Sequence, residues 1–191
     1  MIKNYEYIDL PNFGLIQQVL QILISTIDLD GRDGVYPVVG GVDIHTQSKA
    51  ITPLADSMRS IGLYDSWVAT SLVLTYNEIP VHKDNAHEFD YSLNLPILNT
   101  DNTYTTFYNT DTLPTTYYLP NGLPYDAYDK EMCQVIDVVE VTSPTLLNVK
   151  VPHGVTLSSG PVPRITLALR INNPHYKFSE KNAIINGTRQ Q

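Results

Sequence analysis

Two histidines and one aspartate stand where they can share a metal ion. His82 and Asp84 occur in Val-His-Lys-Asp, and His153 in Pro-His-Gly-Val. On an extended backbone, residues two apart project to the same side, so His82 and Asp84 reach a common point without strain. Two imidazoles and one carboxylate form a facial set suited to divalent iron, with three positions left open for substrate and O2. Arg164 follows His153 closely and opens Arg-Ile-Thr-Leu-Ala-Leu-Arg-Ile. Period two puts Arg164, Thr166 and Ala168 on one face of that strand, and Ile165, Leu167 and Leu169 on the other. A guanidinium and a hydroxyl on a largely apolar strand need an anionic partner to justify their burial. A carboxylate gripped by the paired N–H groups of Arg164, with Thr166 alongside, satisfies both.

Each fragment also has a plainer reading. The chain has five histidines and 20 acidic residues, so a solvated His-x-Asp pair arises readily by chance, and Arg164 can pair with one of those acids. The joint pattern weighs against chance. His153 follows the largely apolar run Thr145-Leu146-Leu147-Asn148-Val149 and Pro152. With Gly154 expected to open a turn, His153 falls at the mouth of a barrel strand. His87 sits in a polar loop near Asp84 and is a competing ligand. His45 and His175 lack a second ligand nearby and read as solvated or locally bonded. No Ser-His-Asp, Cys-His or Gly-rich phosphate motif is present. Cys133 precedes an apolar strand and reads as a small core residue.

The elements that must position these residues fall into two groups. Ile16, Val19, Leu20, Leu23 and Ile27 recur at helical spacing and predict a helix over 14–27, capped by Asn12. A strand over 36–44 enters a Gly40-Gly41 bend. A second helix is expected over 52–61, with Thr52 as cap, Pro53 at its first position and Leu54, Met58 and Ile61 on one face. From Trp67 onward short β-prone runs follow one another: 67–76, 91–98, 103–108, 133–142, 145–150 and 164–171. Two helices before such a succession argue for a β-barrel or sandwich buttressed on one side by helices. Residues 110–130 form a long segment with no clear period, carrying Tyr117, Tyr118, Tyr125 and Tyr128. Two readings of it stay open, a functional lid and a surface excursion held by its tyrosines.

Composition sets the outer bounds. A chain of 191 residues with 42% hydrophobic and 17% charged residues is globular and long enough for one domain with a sizeable core. The expected division is helical support over 1–66, a β core over about 67–171 and a polar tail over 172–191. The net charge of −8 disfavours a nucleic-acid partner, since such binding rests on neutralising phosphates. No run reaches the length of a membrane span. The single cysteine and the absence of an N-terminal signal pattern point to a reducing compartment, and so to the cytoplasm.

The pattern His82-Lys83-Asp84, His153 and Arg164-Ile165-Thr166 resembles the Fe(II)/2-oxoglutarate-dependent oxygenase superfamily, which carries a His-x-Asp/Glu … His triad with Arg-x-Ser/Thr shortly after the distal histidine. The likeness covers roughly 67–171. The run YNEIPVHKDNAHEFDYSLNLPIL (76–98) is similar to the metal strand and following strand of the aspartyl/asparaginyl β-hydroxylase-like and prolyl-hydroxylase-like branches. The Asn-, Thr- and Tyr-rich composition resembles phage or marine-virus members, whose cytoplasm is that of an infected host cell. The resemblance implies a mainly β fold, a double-stranded β-helix (a cupin-like jelly roll). It implies Fe(II) on His82, Asp84 and His153, 2-oxoglutarate as co-substrate with its far carboxylate on Arg164 and Thr166, O2 as oxidant, and ascorbate as reductant in vitro. Tyr76, Ser92 and Asn94 flank the metal strand and are expected to line the co-substrate pocket. The implied reaction couples decarboxylation of 2-oxoglutarate to succinate with C–H oxidation, in most cases hydroxylation, of a prime substrate such as an amino acid or protein side chain. Two alternatives are a cupin-type metalloenzyme that does not use 2-oxoglutarate and a non-catalytic jelly-roll binding module with a vestigial site.

Overall fold

The computed structural model describes residues 3–29, 33–84, 89–118, 124–174 and 176. Elements run in the order β1 (Tyr5–Tyr7), α1 (Phe13–Ser25), β2 (Gly34–Tyr36), β3 (Val38–Val39), β4 (Val42–Asp43), α2 (Ile44–Ala50), α3 (Thr52–Ser60), β5 (Trp67–Thr75) and β6 (Ile79–Lys83). There follow β7 (Tyr91–Leu98), β8 (Thr103–Asn109), β9 (Thr115–Tyr118), β10 (Pro124–Ala127), a 3-10 turn at Lys130–Met132, β11 (Gln134–Glu140), β12 (Thr145–Asn148), β13 (His153–Leu157) and β14 (Arg164–Ile171). The fold is mainly β. One six-stranded sheet has the order β1-β12-β7-β14-β5-β2, and a second the order β11-β8-β13-β6-β10-β9. Every pairing in the two is antiparallel. The chain passes back and forth between them: β5, β7, β12 and β14 lie in the first sheet, and β6, β8, β11 and β13 in the second.

Period-two alternation decides what each face of the first sheet meets. Leu72 and Leu74 of β5, Leu93, Leu95 and Ile97 of β7, and Ile165, Leu167, Leu169 and Ile171 of β14 all face one way. They pack with Ile16, Leu20 and Ile24 of α1, Ile44 of α2 and Leu54 and Met58 of α3 in the main core. Burying each such side chain contributes roughly 1.5–3 kcal/mol, so this apolar layer pins the sheet and leaves the opposite face free to be polar. Polar bonds lock α1 onto β7: Gln17 donates to the Pro96 carbonyl at 3.1 Å and Gln21 to that of Ile97 at 2.8 Å. The opposite face of β14 carries Arg164, Thr166, Ala168 and Arg170, which look toward the second sheet across a cavity. Phe107, Val139, Val141, Leu147 and Val149 close the sandwich to one side of it.

Several local expectations need correction. Asn12 precedes α1 in a left-handed conformation (φ 58°) and makes no side-chain cap. The cap position before α3 belongs to Ile51, and Thr52 is already helical, with Pro53 in the first turn. The strand expected over 36–44 is interrupted at Pro37 and again at Gly40 and Gly41, both at positive φ, which separates the end of β2, β3 and β4. It gives way at Ile44 to α2, whose cap is Asp43, accepting from the Thr46 amide at 3.0 Å. The described residues of 110–130 are not an irregular loop, because β9 and β10 pair as a hairpin whose β10 strand pairs with β6. Gly154 opens no turn. It lies inside β13 opposite a register shift in the β13–β6 ladder, where an added Cβ would sit 3.0 Å from the Ile79 carbonyl oxygen.

That close approach lets β13 lie against β6 with His153 opposite His82. Gly154→Ala is therefore expected to cost about 1–3 kcal/mol, the usual penalty of forced overpacking, as measured by chemical denaturation. Unchanged stability would mean that the bulge absorbs a methyl group.

Candidate functional site

His82 lies on β6 and His153 on β13, directly paired across the ladder, with ring centroids 4.5 Å apart. Asp84 follows the end of β6. One ligand atom from each of the three lies within 4.8 Å of the others, and His82 Nε2 is 3.3 Å from Asp84 Oδ1. Two ligands on a common ion at right angles, each about 2.1 Å from it, stand about 3 Å apart, so His82 and Asp84 are already near metal spacing. The tautomers suit the same purpose. His82 Nδ1 lies 2.8 Å from the Pro80 carbonyl and His153 Nδ1 2.9 Å from that of Val151. Nδ1 is thus the N–H donor in each ring, which leaves Nε2 with its lone pair free as a ligand.

Burial sets the charges. It pushes the His153 pKa down to about 4, helped by the neighbouring His82 ring and opposed by Asp84, which favours the neutral imidazole that a metal requires. Burial pushes the Asp84 carboxyl up, but the Arg170 guanidinium and the neighbouring His82 and His153 rings outweigh it. Together they hold the group well below the usual carboxylate range.

Arg164 lies on the opposite wall, 2% exposed. Its Nε donates to Thr103 Oγ1 at 3.0 Å, and among the described residues no carboxylate pairs with it. Burial alone lowers its pKa, to about 10, so it stays protonated at neutral pH. Beside it the hydroxyls of Thr166 and Thr105 are buried without a hydrogen-bond partner among the described residues. A buried cation next to two unsatisfied hydroxyls is a costly arrangement that an anion would relieve.

One cavity between the sheets is lined by His82, Asp84 and His153 and also by Arg164, Thr166, Ser92 and Asn94. Ser92 and Asn94 are bonded to each other at 2.6 Å. Tyr76 is not in the lining. Its hydroxyl donates to the Leu29 carbonyl at 3.4 Å and its amide to Asp33 at 3.2 Å, because it lies past the end of β5, where the chain turns toward the segment before β2. His45 bonds Thr70 at 3.1 Å and packs edge-on against Trp67, away from the cavity. His87 and His175 lie outside the described residues. Cys133 is half-buried, its thiol donating to the Asp129 carbonyl at 3.2 Å.

Two parts of the site were missed in the sequence, and a third lies in the 110–130 segment, for which the sequence leaves two readings open. Arg170 lines the cavity and pairs with Asp84; extending the period-two parity of Arg164, Thr166 and Ala168 by one step would have found it. Thr103 and Thr105 come from β8, and no local signal links them to Arg164. Tyr125 of the hairpin stands edge-on to His82, centroids 6.0 Å apart, with Tyr117 a further 6.0 Å away. Comparison with protein families, with characterised proteins and with solved structures finds no match for this chain. No helix among the described residues is long and apolar enough to cross a membrane.

Two outcomes are expected of the metal-free protein. The native His153 pKa lies below the unfolded value of about 6.5, so the unfolded chain binds the extra proton first. Stability should then fall as pH drops from about 6.5 to about 4, by roughly 3 kcal/mol. Thermal melts across that range would show it, and His153→Phe should flatten the slope. Arg164→Met, which removes a buried cation that no carboxylate balances among the described residues, should leave the protein at least as stable as the wild type. A loss of several kcal/mol would mean that Arg164 has a structural partner.

Proposed function

We propose that this chain is an Fe(II)- and 2-oxoglutarate-dependent oxygenase built on a double-stranded β-helix. One observation carries the reading: a three-ligand set and a buried guanidinium with no carboxylate partner among the described residues line opposite walls of the same cavity. The alternation of β5 to β8 and β11 to β14 between the two sheets is the winding a jelly roll requires.

In this reading His82, Asp84 and His153 hold the iron through the two Nε2 atoms and a carboxylate oxygen. Arg164, with Thr166 and Thr105, takes the far carboxylate of the co-substrate, which supplies the counter-charge and hydrogen-bond partners those groups lack. When bound, iron and 2-oxoglutarate supply the oxidising chemistry, in which decarboxylation to succinate and CO2 accompanies O2-dependent oxidation of a substrate C–H bond. The rest falls to the protein. Val73, Leu147, Val149 and Val155 line the cavity and limit water around the reacting centre. Tyr125 and Tyr117 extend the face that carries His82 outward to the hairpin edge, where Tyr117 is half-exposed, and form a wall against which an amino-acid or protein side chain can rest. A cupin-type site without 2-oxoglutarate would leave Arg164 and its hydroxyl neighbours unexplained. One observation favours the non-catalytic reading: Asp84 already has Arg170 as counter-ion, so its burial does not by itself call for a metal.

Succinate formation from 2-oxoglutarate with Fe(II), ascorbate and O2 tests the proposal. It should require iron and vanish in Asp84→Ala. No succinate, together with no visible charge-transfer band on anaerobic mixing with Fe(II) and 2-oxoglutarate, would sink it. Arg164→Ala should raise the 2-oxoglutarate requirement about 10- to 100-fold, the loss of a charged hydrogen-bonded pair, while metal binding persists. Deleting the hairpin would strip β6 of one of its two neighbours, so its role is better read from Tyr117→Ala/Tyr125→Ala. That variant should lose prime-substrate turnover while keeping uncoupled succinate formation, and equal loss of both would make the wall structural.

A further inference from the structure

The two oxygens of Asp84 face groups from different sheets. Oδ1 faces His82 Nε2 on β6, while Oδ2 accepts a hydrogen bond from Arg170 Nη1 on β14. Arg170 is 8% exposed. Its strand is central, flanked by Ala69 of β5 on one side and Ser92 of β7 on the other, and the Phe89 ring lies 5.0 Å from its guanidinium carbon. The arginine is thus fixed in place, whereas Asp84 lies just past the end of its strand and has no ladder to fix it.

We infer that Arg170 is a positioning residue that holds the outer oxygen of Asp84 and so makes that carboxylate a one-oxygen ligand. This rests on the metal reading above and adds a constraint to it. A carboxylate free to turn can embrace an ion with both oxygens and would take one of the three positions that a facial set leaves open. Two of those are needed for a chelating keto acid and one for O2. The planar fork of arginine suits the task because it grips an oxygen from a set direction, whereas a lysine offers a mobile point charge on a shorter reach. The pairing has a further effect: the guanidinium balances Asp84 in the metal-free protein, so the ligand set persists between metal-binding events.

The test uses Mn(II) alone with no co-substrate and counts metal-bound waters by water-proton relaxation, in the wild type, Arg170→Met and Arg170→Lys. The wild type should hold about three exchangeable waters and each variant about two, the lost one being displaced by Oδ2. The lysine variant keeps the buried charge balanced, so the count can be read even if methionine prevents folding. A purely structural arginine would lower the melting temperature and leave the count unchanged. Three waters in a folded variant, or two in the wild type, would overturn the inference while leaving the metal site standing. A wild type that binds no Mn(II) would overturn both.

Discussion

The polar seam between the two sheets is the constraint on which the rest of this structure depends. Arg164, Arg170, Thr166 and Ser92 point inward from strands whose other faces are fully apolar. Such a seam survives only because the helical layer anchors the first sheet from behind. The three helices, the leucine-rich faces of β5, β7 and β14 and the glutamine bonds of α1 supply the stability against which the charged interior is held. The inner face is then free to be arranged for binding.

The seam is uneven in how well it is balanced. At one end Arg170 and Asp84 compensate each other. At the other, Arg164 has a threonine hydroxyl and no carboxylate among the described residues, with two more hydroxyls idle beside it. A fold selected only for stability would have replaced that end with packed hydrocarbon, which commonly costs nothing. The imbalance is local and faces the cavity, and it is the strongest sign that something anionic belongs there.

The amino-acid sequence revealed much of this and missed the rest for definable reasons. The strict alternation in β14 announced both its faces, and the helical periods of α1 and α3 placed the buttress. Each of these signals is local and repeats several times. The hairpin of β9 and β10 was illegible because its strands are short, bordered by prolines and largely exposed, so no apolar alternation marks them. α2 was hidden by its brevity and by two glycines just before it. Gly154 misled because a glycine signals a turn as readily as a close backbone approach, and only the register with β6 tells them apart. Tyr76 misled because adjacency in sequence to the metal strand is not adjacency to the cavity. The threonines of β8 were invisible for a more basic reason: their link to Arg164 is a contact between sheets, which spacing along the chain does not encode.

The two candidate histidine ligands repeat one local device, each ring tied to the carbonyl two residues before it. In many metal sites that second ring nitrogen is held by a distant carboxylate, so the ligand inherits the mobility and charge of another part of the molecule. Here each ring takes its bearing from the backbone just before it. Neighbouring side chains can therefore drift over evolutionary time, and the cavity can be reshaped for new substrates, without disturbing how either imidazole presents its lone pair.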